Sequence, residues 1–130
     1  IEHATYIGDL LNDEVHAATA CPPLPVLVDL EYTTIDPHVY LDQMKATALA
    51  RSKEAIKDTF LPGDNMHVVV GSPELALAEL ADKLNSRMIV MGTVSRSGLK
   101  GYNMGNTAEQ ILYNMHCDIL AIKPENFSVE

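Results

Sequence analysis

The sequence has no tryptophan, two phenylalanines and two cysteines, and it lacks the features of an exported or membrane protein. No apolar run approaches the ~20 residues of a membrane span, and no basic segment followed by an apolar one opens the chain. Cys21 and Cys117 lack the close spacing of metal ligands, so we expect reduced thiols that serve packing. The five histidines form no metal-binding pattern. These absences predict a cytoplasmic protein without a metal site.

Basic side chains are also scarce, with 9 Lys and Arg residues against 18 Asp and Glu residues, for a formal net charge of -9. Such a charge repels nucleic-acid phosphates and anionic lipid, so we expect neither nucleic-acid nor membrane partners. The 130 residues, 47% of them apolar, are enough for one folded domain with one core. We place this domain at residues 1–124 and a polar tail at residues 125–130.

The spacing of apolar residues alternates between helical and strand patterns along the chain. It predicts strands at residues 15–21, 66–70, 88–91 and 118–123. It also predicts helices at residues 1–11, 37–60 and 73–84, and a last helix that starts near residue 106. Strands that alternate with helices form right-handed crossovers, which give a parallel sheet with helices on both faces. The predicted fold class is therefore α/β, with a doubly wound parallel sheet.

Local signals predict how these elements begin, end and pack. Asp36 and Ser72 each precede a proline and are expected to cap the helices that follow. Asn85 is expected to end the third helix in a left-handed conformation. The uninterrupted apolar run at residues 88–91 is typical of a strand that is buried on both faces. On the apolar sides of the helices we expect buried side chains at Phe60, Leu77, Leu80, Ala81 and Leu84.

A glycine-studded loop connects the third strand to the last helix. Gly92 ends the strand, Gly105 closes the loop, and Asn106 with Glu109 three positions later is a helix-start signal. Unpaired amides and the positive end of a helix dipole at such a junction favour anions such as phosphate. Many α/β proteins use a similar turn only to reverse the chain, so a solvated loop is the alternative interpretation.

The spacing Gly92-x2-Ser95-x9-Gly105-Asn106-Thr107 resembles the Gly-x2-Gly-x9-Gly-Ser/Thr signature of the universal stress protein family. The last strand, Asp118-Ile119-Leu120-Ala121-Ile122, and the turn Gly71-Ser72-Pro73 are also similar to that family. More narrowly, Ile35-Asp36-Pro37-His38-Val39-Tyr40 and Gly105-Asn106-Thr107-Ala108-Glu109-Gln110 resemble the carboxy-terminal half of its tandem, E-type members in bacteria. The resemblance covers essentially the whole chain.

The resemblance implies a sheet of five strands in the order 3-2-1-4-5, with a ligand crevice where the order reverses. In the nucleotide-binding members, the motif cradles the phosphates of ATP. Arg96 and Lys100 would add positive charge to such a site. The ligand-binding residues that follow from the resemblance and from this charge are Met91, Gly92, Thr93, Ser95, Arg96, Gly105, Asn106 and Thr107.

Two positions depart from the family signature. Ser95 replaces the second glycine and brings a Cβ and a hydroxyl to a place where the backbone should approach phosphate closely. Asn106 replaces the Ser or Thr, and its amide takes up space near a γ-phosphate, although Thr107 is adjacent. Together the changes would weaken ATP binding by ~2 to 4 kcal/mol. We therefore expect no resident cofactor, and ATP binding that is weak at best.

The strand that the family places first, ahead of the helix at Ile1, is missing from these 130 residues. In the implied order this strand is central, and burial of about six residues would contribute on the order of 10 kcal/mol. We therefore expect the chain to belong to a longer polypeptide, or to have lost its amino terminus.

The favoured hypothesis for function is a non-enzymatic universal stress protein domain in the bacterial stress response. Its degenerate nucleotide-type pocket would bind a small molecule other than ATP, or ATP only weakly. The alternative is an ATP-binding stress protein that acts as a nucleotide-dependent sensor. A true enzyme is a third interpretation, but the loop at residues 93–105 contains neither a carboxylate nor a histidine.

The last strand is expected to lie at a sheet edge and to need a partner, because exposed apolar edges normally pair. The resemblance implies that the partner is a second universal stress protein domain, in a homodimer or in the other half of a tandem chain. The edge residues are Ile119, Leu120, Ala121 and Ile122.

Overall fold

The computed structural model describes residues 1–21, 36–92 and 106–123. In these residues strands alternate with helices, which confirms the α/β class. The elements are α1 (Glu2–Leu11), β1 (Ala17–Cys21), α2 (Pro37–Ile56), β2 (Met66–Val70), α3 (Pro73–Lys83), β3 (Met88–Gly92), α4 (Asn106–Asn114) and β4 (Asp118–Ile122), with a short 3-10 helix at Gly63–Asn65. No helix in this part of the chain is long and apolar enough to cross a bilayer.

The helix boundaries follow from a few residues. The Asp36 side chain accepts a hydrogen bond from the backbone N–H of His38 at 2.9 Å, and Pro37 opens α2. Asn12 and Asn85 adopt positive φ values of 54° and 52° at the ends of α1 and α3, because asparagine tolerates the left-handed region better than most residues. The predicted start of α2 at Asp36 and Pro37 and the left-handed conformation of Asn85 are confirmed.

The expectation that Ser72 caps α3 with its side chain is wrong. Ser72 occupies the cap position, but its hydroxyl makes no capping hydrogen bond. The first turn is held by the backbone instead, since the N–H groups of Leu75 and Ala76 both donate to the carbonyl of Ser72, at 3.2 and 2.9 Å. Pro73 has no N–H group that would need a cap.

The described strands form two parallel pairs. β1 pairs with β2 in a register that sets Ala17 opposite Met66, and β3 pairs with β4 in a register that sets Met88 opposite Asp118. Helix α2 packs on β1 and β2, while α3 packs on the same two strands and on α4. Parallel pairing was predicted. The full order of five strands stays a prediction, because the pairs β1–β2 and β3–β4 are not hydrogen-bonded to each other.

A cleft of about 920 Å³ is lined by both strand pairs. Its walls include Ala17 and Ala18 of β1 and the residues Met88 to Met91 of β3. Each of the four helices contributes apolar side chains to it, among them Ile7, Ile56, Leu80 and Ile111. An ion pair joins the β1–β2 pair to the β3–β4 pair. Arg87, which precedes β3, donates from Nε to Oδ2 of Asp13, which precedes β1, at 2.9 Å.

The cleft leaves the core thin and overturns two expectations about burial, and the end of α2 overturns a third. The strand at residues 88–91 is only partly buried, because one of its edges opens into the cleft. Leu77, Leu80 and Leu84 are partly buried for the same reason, whereas Ala81 is buried as expected. Phe60 is fully exposed, because α2 ends at Ile56 and the chain turns before it reaches residue 60.

Candidate functional site

The carboxyl ends of the strands form the edge at which a ligand site was expected. In the two parallel pairs Cys21 lies opposite Val70, and Gly92 lies opposite Ile122. None of these four residues is a carboxylate or a histidine, so this edge offers backbone groups and apolar side chains. In open α/β sheets, ligands bind outside the carboxyl ends of the strands.

Two glycines shape this edge in different ways. Gly71 follows β2 with a φ of 138°, which side-chain-bearing residues rarely adopt, and its N–H donates to the carbonyl of Cys21 at 2.9 Å. It therefore allows a sharp turn from β2 into α3. Gly92 ends β3, and a Cβ there would meet no atom of the described residues within 4 Å apart from its chain neighbours. The end of β3 is thus unobstructed by the described residues.

The structure locates only part of the predicted ligand site. Met91 and Gly92 are the last two residues of β3, and the backbone of Asn106 and Thr107 begins α4, as predicted. The residues Thr93, Ser95, Arg96, Lys100 and Gly105 lie outside the described residues. The two flanks of the glycine-rich loop are therefore in place, and ligand contact by the loop stays a prediction.

A cluster of polar side chains lies at the opposite, amino end of β1 and β2. His16 Nδ1 and His67 Nε2 are 2.9 Å apart, with ring centroids separated by 5.1 Å. Glu14 Oε1 lies 3.7 Å from His16 Nε2. Asn65 Nδ2 donates to Glu14 Oε1 at 3.1 Å and to the carbonyl of Val15 at 2.9 Å. We call Glu14, His16, Asn65 and His67 the amino-end cluster.

The contact between His16 and His67 in the amino-end cluster disfavours protonation of both imidazoles at once. One ring must accept at the His16–His67 contact, so the two imidazoles can share one proton there but cannot both donate. Burial lowers the pKa of His67, and the charge of His16 lowers it further. This cluster was not predicted from the sequence, because 51 residues separate the two histidines. Only the register, with Ala17 opposite Met66 and Ala18 opposite His67, brings them together.

The two cysteines are free thiols, and Cys21 is buried as predicted for a packing residue. The pKa of Cys117 is raised by its burial and by the negative charges of Asp118 and Asp82. A raised pKa keeps the thiol protonated and less nucleophilic. Among the described residues, no group of three or more His, Cys, Asp or Glu side chains could hold a metal ion.

Comparison with known proteins identifies the family. A sequence profile of the universal stress protein family matches residues 1–123. The chain belongs to the universal stress protein family. Universal stress protein E of Escherichia coli is 38% identical over 117 residues, which are 89% of this chain and 37% of that protein. The universal stress protein E homolog of Haemophilus influenzae is 28% identical over 125 residues, 95% of this chain and 40% of that protein.

Solved universal stress protein structures share the fold. One from Pseudomonas aeruginosa superposes with a TM-score of 0.65 at 25% identity, over 96% of this chain and 40% of that one. A universal stress protein in complex with cAMP superposes with a TM-score of 0.54 at 24% identity, over 94% of this chain and 82% of that one. The chain thus spans about two fifths of the length of the curated stress proteins it matches. The finer likeness to a carboxy-terminal tandem half stays a prediction.

Proposed function

We propose that this chain is a non-enzymatic, cytoplasmic stress-response domain that binds a small molecule at the carboxyl ends of its strands. The ligand is one other than ATP, or ATP held only weakly. The observation that carries the proposal is the open end of β3 at Gly92, which is followed at residue 106 by the start of α4. A strand end that the described residues leave unobstructed and a helix amino terminus are two parts that favour an anionic or polar ligand.

The loop between these parts supports weak rather than tight triphosphate binding. Ser95 and Asn106 replace the glycine and the hydroxyl residue of the family signature. A serine Cβ keeps backbone amides away from a phosphate, and an asparagine amide fills space that a γ-phosphate would need. The remaining positive charges of this loop, on Arg96 and Lys100, attract anions without selecting for a triphosphate.

Restoring the family signature tests this proposal. The double variant Ser95→Gly with Asn106→Ser should bind Mg-ATP about 30- to 900-fold more tightly than the native chain in a calorimetric titration. Asn114→Ser is the matched control, because Asn114 lies at the other end of the same helix and its amide donates only to the Gln110 carbonyl at 2.7 Å in the described structure. It should leave ATP affinity unchanged. Equal affinity of the native chain and the double variant would contradict the proposal.

A nucleotide-dependent sensor is the second candidate. It is favoured by the retained Gly92 and Gly105, by Thr107 beside the altered position, and by the cAMP complex of the related stress protein. Nucleotide released by heat from the purified protein, together with a rise in melting temperature on addition of ATP, would favour this candidate. A chain that releases none, and whose melting temperature ATP does not change, would favour the first one.

The partner that fits β4 is a second universal stress protein domain. β4 has one strand neighbour among the described residues, β3, and its Ile119 and Leu120 are only partly buried. Replacement of Leu120 by lysine should weaken self-association at least about 10-fold, since a charge would enter an apolar contact. Light scattering measures this, with His38→Lys on the exposed start of α2 as the control. If the Leu120→Lys variant had the same assembly size as the native chain, β4 would not be the partner surface.

A further inference from the structure

The amino-end cluster contains two histidines whose ring nitrogens face each other. Ala18 lies opposite His67 in the β1–β2 register, and His16 is two residues before Ala18, so both rings stand on the same face of this strand pair. The small side chain of Ala18 does not separate them. His16 Nδ1 and His67 Nε2 therefore meet at 2.9 Å, a contact that no spacing pattern in the sequence predicts.

This contact has the composition of a two-ligand metal site. Neutral imidazole nitrogen is the commonest protein ligand of metal ions, and it suits Zn²⁺, Ni²⁺ and Cu²⁺. Zinc–nitrogen bonds of about 2.0–2.1 Å at a tetrahedral angle place two ligand nitrogens about 3.3 Å apart. His16 Nδ1 and His67 Nε2 need to separate by about 0.4 Å to reach that distance, with a tilt of the rings. The ring torsion of histidine is broad enough to allow this change.

The other nitrogen of the His16 ring lies beside a carboxylate. Glu14 Oε1 is 3.7 Å from His16 Nε2, and Asn65 Nδ2 donates to the same oxygen at 3.1 Å. A histidine that binds a metal through one ring nitrogen usually donates from the other to a carboxylate or carbonyl, which fixes the tautomer and makes the ring a better ligand. Glu14 is placed for this role, and the buried Asn65 holds Glu14 in position. All four residues of the cluster then take part in one site.

A metal ion can reach this contact from solvent. The side chain of His16 is 24% exposed and that of Glu14 is 71% exposed. The chain also has a formal net charge of -9, which attracts cations to its surface. No third His, Cys, Asp or Glu side chain of the described residues completes the site, so water fills the remaining positions around the ion. Such a site exchanges its ion readily.

We propose that the amino-end cluster is an exchangeable site for a divalent transition-metal ion such as Zn²⁺, with His16 Nδ1 and His67 Nε2 as ligands and Glu14 as the carboxylate that orients His16. The ion takes the place of the hydrogen atom between the rings, and each ring keeps a proton on its other nitrogen. It joins the α1–β1 connection to β2, so metal binding stabilises the folded chain. The site lies at the opposite end of the strands from the proposed small-molecule site and does not depend on it.

Titration of the native chain with Zn²⁺ tests the proposal, with nitrogen-15 NMR of the imidazole rings as the readout. The resonances of His16 Nδ1 and His67 Nε2 should shift on addition of Zn²⁺, while the other nitrogen of each ring stays protonated. Mg²⁺ prefers oxygen ligands and should cause no such shift. At a free Zn²⁺ concentration 100 times the dissociation constant, the folding equilibrium constant should rise about 100-fold.

Single substitutions distinguish this site from binding at exposed histidines. His67→Gln removes one ligand and should weaken Zn²⁺ binding at least about 10-fold, whereas changes at the exposed His38 and His116 to glutamine should leave it unchanged. Glu14→Gln keeps both ligands and should weaken binding about 10-fold. The NMR shifts of the native chain keep the test valid even where a variant is unstable. Zn²⁺ affinity that His67→Gln leaves unchanged, or shifts confined to other histidines, would overturn the proposal.

Discussion

The two ends of the strands are built from different chemistry. At the amino end, side chains make the contacts: Glu14, His16, Asn65 and His67 form one cluster, Arg87 pairs with Asp13, and His116 Nδ1 lies 3.5 Å from Asp82 Oδ2. At the carboxyl end, the strands finish in cysteine, valine, glycine and isoleucine, and the described contact between β1 and the turn after β2 is a backbone hydrogen bond.

This difference assigns stability to the amino end of the strands and ligand binding to the carboxyl end. Side-chain contacts at the amino end fix the strands and the α1–β1 connection, and a change there should be felt as lost stability. An end made of backbone groups and apolar side chains leaves room for a ligand, and a change there should alter binding more than folding. The predictions below test this division in order of expected effect.

The largest contrast is expected between two glycines. A Cβ at Gly8, in α1, would lie 2.3 Å from Val15 Cγ2 and 3.1 Å from the carbonyl oxygen of Asp13. Gly8→Ala should therefore destabilise the chain by about 1–3 kcal/mol, even though alanine favours helix. The added Cβ of Gly92→Ala meets no atom of the described residues within 4 Å beyond its chain neighbours, so this variant should change stability by less than about 0.5 kcal/mol. Urea unfolding of both variants measures their free energies of unfolding, and equal losses of stability would contradict this contrast.

Asn65 is expected to have the next largest effect. It is buried, and its amide donates both to Glu14 and to the carbonyl of Val15. Asn65→Ala removes both hydrogen bonds and leaves the Val15 carbonyl without that donor, at a cost of about 1–2 kcal/mol. Asn114→Ala is the control, because its one described side-chain bond is exposed and local. A loss in the control that matched the loss at Asn65 would mean that the cluster contributes little.

The ion pair of Arg87 with Asp13 should contribute less. Both side chains are substantially exposed, so solvent and salt screen their attraction. Arg87→Gln should cause a small loss of stability at low salt that shrinks as sodium chloride is added. Lys57→Gln, which removes a local pair with Glu54, serves as the control. A large loss that salt does not reduce would show that the pair fastens the two halves of the sheet.

The smallest effect is a pH dependence at the amino end. The pKa of His67 is lowered in the folded chain by burial and by His16, so the unfolded chain binds the proton more readily. The stabilisation is present above the ordinary histidine pKa and is lost as the pH falls through the lowered value. Stability should drop from pH 7.5 to pH 5, and His67→Gln should reduce that drop. The exposed His38→Gln should not, and equal slopes for the two variants would contradict the assignment.

The sequence predicts local structure well where one or two residues decide it. Asp36 with Pro37 set the start of α2, and Asn85 ended α3, because caps and left-handed residues act within a single turn. The four strands of the described residues were located within about two residues of their predicted bounds. Burial was harder to predict, since β3 and the leucines of α3 face a cleft that no local pattern shows. Phe60 fits the apolar side of a longer helix, and only the observed end at Ile56 exposes it.

The candidate site and the amino-end cluster show the same contrast between local signals and contacts that depend on strand register. Its flanks, Gly92 and the helix start at Asn106, follow from glycine and capping signals that lie close together in the sequence. The histidine pair depends on the register between β1 and β2, which brings together residues that are 51 positions apart. The family signature predicts the kind of pocket, while Ser95 and Asn106 are the reasons to expect weak triphosphate binding.

The most direct test is a calorimetric titration of the native chain with Mg-ATP. Weak binding at the carboxyl ends predicts a dissociation constant of hundreds of micromolar or more, at about -5 kcal/mol or weaker. A dissociation constant of a few micromolar, with backbone shifts at Gly92 and Asn106 in the NMR spectrum, would contradict it.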